Sequence, residues 1–128
     1  MPRTAIHTER APAALGPYSQ ATRAGSLVFL SGQIALDPAT GTIIGEDDVV
    51  AQARQAFANL AAVCEAAGGS LADVVRVGLY LTDLSQFAAV NAVMDEFFER
   101  PYPARSTVEV SALPKGVAFE VDAILALG

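Results

Sequence analysis

The sequence predicts an α+β fold, a largely antiparallel sheet with helices on one face, and three observations carry that expectation. From about Asp48 to Ala67 the apolar residues Val50, Ala53, Phe57, Leu60 and Cys64 recur at alternating steps of three and four, which lays one stripe along an α-helix. "VVRVGLYLT", 74 to 82, alternates instead: Val75, Val77, Leu79 and Leu81 fall on one face, and Arg76, Gly78, Tyr80 and Thr82 on the other, as in a half-buried strand. The other apolar segments are short, bounded by turn residues, and give the order strands, helix, strand, helix, strands.

Taken in order, "TAIHT" makes a short first strand. "SQATRAGSLVFLSGQI" makes two strands around the "AGS" turn, where Gly25 supplies the bend, and "DPATG" is a further turn. Gly68 and Gly69 end the first helix. Asp83 with Gln86 three residues on resembles a capping box that opens a second helix carrying Leu84, Phe87, Val90, Met94, Phe97 and Phe98, closed by Arg100-Pro101. Two strands follow, about 105 to 110 and 117 to 127, joined by "SALPKG" and expected to form a hairpin. Helix stripes cover one sheet face. The other face needs a partner, for which a neighbouring subunit is the natural candidate.

With 128 residues the chain fits one domain, 1–128. Its composition is 52% hydrophobic and 17% charged, more oil than a small monomer usually hides, so an oligomer is expected. Eight Lys and Arg against fourteen Asp and Glu leave a formal charge of -6, which argues against nucleic acid as a partner. The single Cys64 excludes an internal disulfide, and "MPRTAIHTER" lacks the pattern of a secretion signal. The longest apolar run, "VAFEVDAILAL", is broken by Glu120 and Asp122 and is too short to span a bilayer. A soluble cytoplasmic protein with no membrane partner is the expectation. His7 is the only histidine and no paired cysteines exist, so no metal is expected; "EDD", 46 to 48, reads as solvated acids beside a helix start rather than a magnesium site.

Candidate chemistry gathers near the carboxyl end. In the strand after Pro103, alternation groups Arg105, Thr107 and Glu109 on one face; in the last strand Glu120 and Asp122 project opposite the apolar Val117, Phe119, Val121, Ala123 and Leu125. A hairpin centred near Leu113 and Pro114 would set Thr107 opposite Glu120, and Arg105 opposite Asp122 or diagonal to Glu120, in one small patch. Such a pair can simply neutralise itself. It can also divide labour, the guanidinium fork gripping a substrate carboxylate while Glu120 orients a water. Asn91 sits on the helix seam between Phe87 and Met94, where a hydrocarbon is expected and a buried amide would need a partner, either a nearby loop or a ligand. Tyr18 follows a Gly-Pro turn, and Ser31 and Gly32 close a strand, where glycine would let a ligand come close. A serine nucleophile has no suitable histidine partner, Cys64 lies in an apolar stripe, and the glycines form no phosphate loop.

The stretches "APAALGPYSQA", "FLSGQIALDPATG", "AQARQAFANLAAVCEAAG", "VNAVMDEFF", "YPARSTVEVSALPKG" and "FEVDAIL", in this order and across essentially the whole chain, resemble the RidA/YjgF family of reactive-intermediate (enamine/imine) deaminases. The resemblance implies a chorismate-mutase-like α+β fold and a homotrimer whose sheets line a central barrel, with active sites in clefts between subunits. It implies hydrolysis of 2-iminobutanoate and 2-iminopropanoate, reached from enamines such as 2-aminoacrylate that pyridoxal-phosphate-dependent dehydratases release, to 2-oxo acids and ammonia, without a cofactor. Arg105 then matches the family's carboxylate-binding arginine and Glu120 its water-positioning glutamate. Tyr18, Ser31, Gly32 and Asn91 match pocket residues, Pro114 the rim, and Thr107 a position that is cysteine in many members. A backbone contact from that position survives the exchange; thiol-dependent regulation does not. The alternative function is a non-catalytic protein that binds or senses small carboxylate metabolites in the same inter-subunit cleft. RNA cleavage, attached to some relatives, sits poorly with the acidic balance.

Overall fold

The computed structural model describes residues 2–128. Six strands, β1 (Thr4–Ile6), β2 (Ala21–Ala24), β3 (Leu27–Gln33), β4 (Val74–Leu81), β5 (Ala104–Glu109) and β6 (Phe119–Ala126), form one sheet in the order β1-β2-β3-β6-β4-β5, with helices α1 (Val49–Ala66) and α2 (Phe87–Phe97) on one face. All neighbours are antiparallel except β4 and β5.

Asp48 caps α1, its carboxylate accepting from the amides of Val50 and Ala51 at 3.1 Å, which satisfies donors the first turn leaves free. The stripe seen in the sequence faces inward, and Phe57 is fully buried with ring centroids 5.5 Å from Phe97, 5.9 Å from Phe98 and 5.5 Å from Phe119. One aromatic cluster thus pins α1 to α2 and to β6. Two polar side chains of α1 are also buried, each satisfied by hydrogen bonds to backbone groups. Gln52 accepts from the Ala118 amide at 2.8 Å and donates to the Gly45 carbonyl at 3.0 Å. Asn59 donates to the carbonyls of Ile34 and Leu36 at 3.1 and 3.0 Å. They fasten the loop after β3 and the entry to β6, segments that carry no periodic pattern of their own.

Several expectations need correction. β5 and β6 do not form a hairpin: β4 lies between them, antiparallel to β6 and parallel to β5. The physical reason is α2, which carries the chain back over the sheet between β4 and β5, so that β5 starts at the same end as β4. Val75 is 48% exposed and Val74 is buried instead, because the β4–β6 register shifts between Val74 and Arg76. From Val77 onward the alternation holds. The second helix begins after a 3₁₀ turn, Leu84–Gln86, that Asp83 caps through the Ser85 amide at 2.9 Å; Gln86 makes no capping bond, and Leu84 is exposed.

Phe119, Val121, Ala123 and Leu125 of β6 and Val77, Leu79 and Leu81 of β4 are buried under the helices. The opposite sheet face carries Leu27, Phe29 and Val108, each at least 40% exposed, beside Tyr80, Glu120 and Asp122. No helix of the described residues is long and apolar enough to cross a membrane.

Candidate active site

The residues singled out from the sequence fall into two clefts rather than one patch. Arg105 pairs with Val77 and Thr107 with Leu79 across the parallel β4–β5 ladder, so both lie on the helix-covered face. There α2 offers Phe87, Asn91 and Met94 at helical spacing. The Arg105 Nη1 donates to Asn91 Oδ1 at 2.6 Å and lies 3.7 Å from the Met94 sulfur, and the guanidinium sits 5.1 Å from the Phe87 ring centroid. An amide oxygen and a ring face hold the plane of the guanidinium without neutralising it. Among the described residues the ion pairs are Arg10–Glu65 and Arg54–Glu96, so the charge of Arg105 is unmatched. A cleft of about 550 Å³ opens beside it, lined by Asn91, Met94, Asp95, Tyr102, Pro103 and Arg105. Asp95 is held by the Tyr102 hydroxyl, which donates to it at 2.6 Å. Asn91 itself is exposed, not buried as its place on the apolar seam suggested, because the flank of α2 that meets β5 lies at the edge of the sheet.

Glu120 lies on the other face of the sheet. It pairs with Tyr80 on β4, and on its other side runs β3, where a Cβ on Gly32 would overlap Glu120 Oε2. The glycine is needed here for close approach and not for an unusual backbone angle. Burial raises the Glu120 pKa above its ordinary value, and the neighbouring charge of Asp122 adds to the effect. Tyr18, Ser31, Gly32, Pro114, Lys115 and Glu120 are among the residues lining a second cleft of about 550 Å³. The segment leading from Tyr18 is tied to β3 by two bonds, Ser31 Oγ donating to the Ser19 carbonyl at 2.6 Å and the Ser31 amide to the Gln20 carbonyl at 3.0 Å. Gln20, almost fully buried, accepts from the Thr8 amide at 2.7 Å and donates to the carbonyls of Thr8 and Pro12 at 3.0 and 2.8 Å. That single side chain fastens the amino-terminal arm that walls the cleft.

With β4 between β5 and β6, Thr107 does not lie opposite Glu120, nor Arg105 opposite Asp122 or diagonal to Glu120, contrary to the hairpin expectation, and Thr107 lines neither cleft. Sequence reasoning missed the hydrogen bond from the Tyr80 hydroxyl to Asp122 Oδ2 at 3.0 Å; alternation put both on polar faces, but their meeting depends on strand order. It also missed Asp95 and Tyr102. Among the described residues no group of three or more His, Cys, Asp or Glu side chains is placed to hold a metal. Burial pushes the Cys64 pKa up to about 12, with Asp73 and Glu65 adding to it, so this thiol is packing material.

The chain is thus of the α+β class, two helices on one face of a mostly antiparallel sheet, with a guanidinium outside any ion pair in one cleft and a partly buried carboxylate in another. Residues 8–127 match the family model described as Endoribonuclease L-PSP. The chain is 49% identical to a 2-iminobutanoate/2-iminopropanoate deaminase of Salmonella typhimurium over 93% of its own length and 94% of the relative's. RidA from the Antarctic bacterium Psychrobacter sp. superposes with a TM-score of 0.93 at 49% identity, covering 97% of this chain and 99% of that one. TdcF of E. coli with bound serine superposes with a TM-score of 0.92 at 44% identity, covering 98% and 99%. The chain belongs to the RidA/YjgF family.

Proposed function

We propose that the chain, as one domain over 1–128, hydrolyses small 2-imino acids, 2-iminobutanoate and 2-iminopropanoate, to 2-oxo acids and ammonia, in clefts assembled between copies of itself in a homotrimer. The observation that carries this reading is the unmatched guanidinium of Arg105, held by Asn91 and Phe87 with its remaining donors facing a cleft. A 2-imino acid brings a carboxylate that the fork fits in two parallel hydrogen bonds. Glu120, on the face that the helices leave open, supplies the proton acceptor from a second copy.

In the proposed reaction the Arg105-bound imine presents its carbon to a water held by Glu120. The water oxygen bonds to that carbon, the C=N π pair moves to nitrogen, and Glu120 takes the proton. The imine enters protonated on nitrogen, so this addition leaves a neutral carbinolamine; Glu120 returns its proton to the amine nitrogen, the C–N bond breaks as ammonia leaves, and the hydroxyl oxygen closes the carbonyl while its proton passes to Glu120 and on to solvent. Such proton transfer is worth about 10²–10⁴-fold, and the rest of the acceleration comes from orientation. Tyr18, Ser31 and Gly32 shape the wall around Glu120 and Pro114 forms its rim, while Thr107, which lines neither cleft within one copy, is left a backbone contact in the assembled site. The reading carries with it a cytoplasmic location, beside pyridoxal-phosphate-dependent dehydratases that release enamines.

The test generates 2-aminoacrylate with a serine dehydratase and follows pyruvate. Purified protein is expected to accelerate its appearance, and a rate equal to the spontaneous one overturns the reading. A second reading, capture of a carboxylate metabolite without turnover, is favoured by the serine bound in TdcF. Calorimetry with 2-oxobutanoate beside the imine assay separates the two, since tight binding without acceleration supports capture alone.

A further inference from the structure

We propose that Tyr80 and Asp122 form a positioning unit for Glu120: a fixed negative charge beside the carboxylate, which acts on the reaction through Glu120 and does not touch the substrate. The inference rests on the role given to Glu120 above.

Three features of the open sheet face converge. Asp122 and Glu120 are alternate residues of β6 and share one face, about 7 Å apart by strand geometry. Across the β4–β6 ladder Tyr80 stands opposite Glu120 and Gly78 opposite Asp122. The tyrosine does not reach straight across. Its hydroxyl donates diagonally to Asp122 Oδ2 at 3.0 Å. Its ring leans over Gly78, with Oη and Cε2 at 2.8 and 3.2 Å from where a Cβ on that glycine would sit, a point that Asp122 Oδ1 also overlaps. Any larger residue at 78 would displace both partners. The glycine, phenol and carboxylate are thus one built arrangement, and it holds the Asp122 carboxylate in one orientation over β4, while Glu120 leans over Gly32 on the β3 side, so that Asp122 acts on it as a charge and not through a contact.

The other charges facing this group are few. Arg76 on β4 is committed to Ser106 Oγ at 3.2 Å, Lys115 lines the cleft, and the proposed assembly adds Arg105 of a neighbouring copy. Burial and the hydrogen bond to Asp122 raise the Tyr80 pKa, so the phenol stays a donor wherever the carboxylate is ionised. Asp122 adds to burial in raising that of Glu120. A more basic carboxylate suits a group that must first take a proton from water and then return one to a leaving nitrogen.

The test uses the full chain with Asp122→Asn, which removes the charge and keeps the shape. Two readouts are needed: the titration of Glu120 by carboxyl-carbon NMR, and the pH profile of imine hydrolysis. Both the Glu120 titration and the acid limb of kcat/KM are expected to move to lower pH, with KM changed by less than about twofold, and Asp122→Glu is expected to restore them. Tyr80→Phe keeps the charge but frees the carboxylate; it is expected to lower kcat at constant KM while the Glu120 titration stays above the ordinary glutamate range. A Glu120 titration unmoved by Asp122→Asn overturns the proposal, as does an unchanged kcat in Tyr80→Phe. Absence of hydrolysis by the unmodified protein would instead sink the deaminase reading, and the NMR titration would still decide whether Asp122 acts on Glu120.

Discussion

Arg105 and Glu120 stand on opposite faces of one sheet, with strand β4 between them, so their side chains diverge within a single copy of the chain. Two strand spacings, about 10 Å, separate their backbones before the opposite directions of the side chains are added. If a site needs both, it takes them from two copies. Arg105→Ala and Glu120→Gln are each expected to abolish hydrolysis. Unfolding the two variants together and refolding them should restore about a quarter of the normal activity, the fraction of inter-subunit sites in which both intact halves meet by chance. Activity that stays at zero in the mixture, with trimers present by light scattering, would place both residues in the same copy's site.

Replacing Arg105 by lysine keeps the charge and loses the planar fork together with the geometry that Asn91 and Phe87 select. A charge-assisted hydrogen bond is worth about 1.5–3 kcal/mol, so kcat/KM should fall about 10- to 100-fold. The loss should appear as weaker calorimetric binding of 2-oxobutanoate. Full retention of affinity would show that a point charge suffices.

Gly32→Ala puts a methyl group where Glu120 Oε2 now lies. The carboxylate must swing away, and a displacement of about 1 Å can cost on the order of 100-fold in rate. Thermal unfolding should show a folded variant with low kcat.

The raised pKa of Glu120 also bears on stability. Folding favours its protonated form, so this group contributes most below the ordinary glutamate value of about 4.3, and the contribution is lost as pH rises through the higher folded value. Glu120→Gln should therefore unfold at a higher temperature than the unmodified protein at neutral pH. The difference should vanish as pH falls below the ordinary range. A variant less stable at pH 7 than at pH 4, relative to the unmodified protein, would contradict the burial cost.

The sequence made some of this legible for reasons that can be named. Helix α1 is self-contained: its stripe has a period, Asp48 its cap, and the paired glycines its end. The inward face of β6 was equally plain, since Phe119, Val121, Ala123 and Leu125 alternate without interruption and all are buried. Pairing was not legible, because the parallel union of β4 with β5 depends on the path of α2 across the sheet, and no local pattern records it. The bulge that exposes Val75 left no mark in an unbroken apolar alternation. Candidate residues could be listed from likeness to a family, but their separation into two clefts required the strand order. Asn91 shows the limit of spacing arguments: an amide on an apolar seam need not be buried when the helix lies at the margin of the fold.

Strand β5 ends the sheet, bonded to β4 along one side and to no other strand among the described residues along the other. Its outward amides and carbonyls form a raw hem, the kind of border along which newly made chains adhere to the wrong neighbour. Arg105, proposed above to grip an anion, is therefore stitched into one of the two open margins of the sheet, and crowding during synthesis would threaten solubility and the proposed ligand capture at the same place.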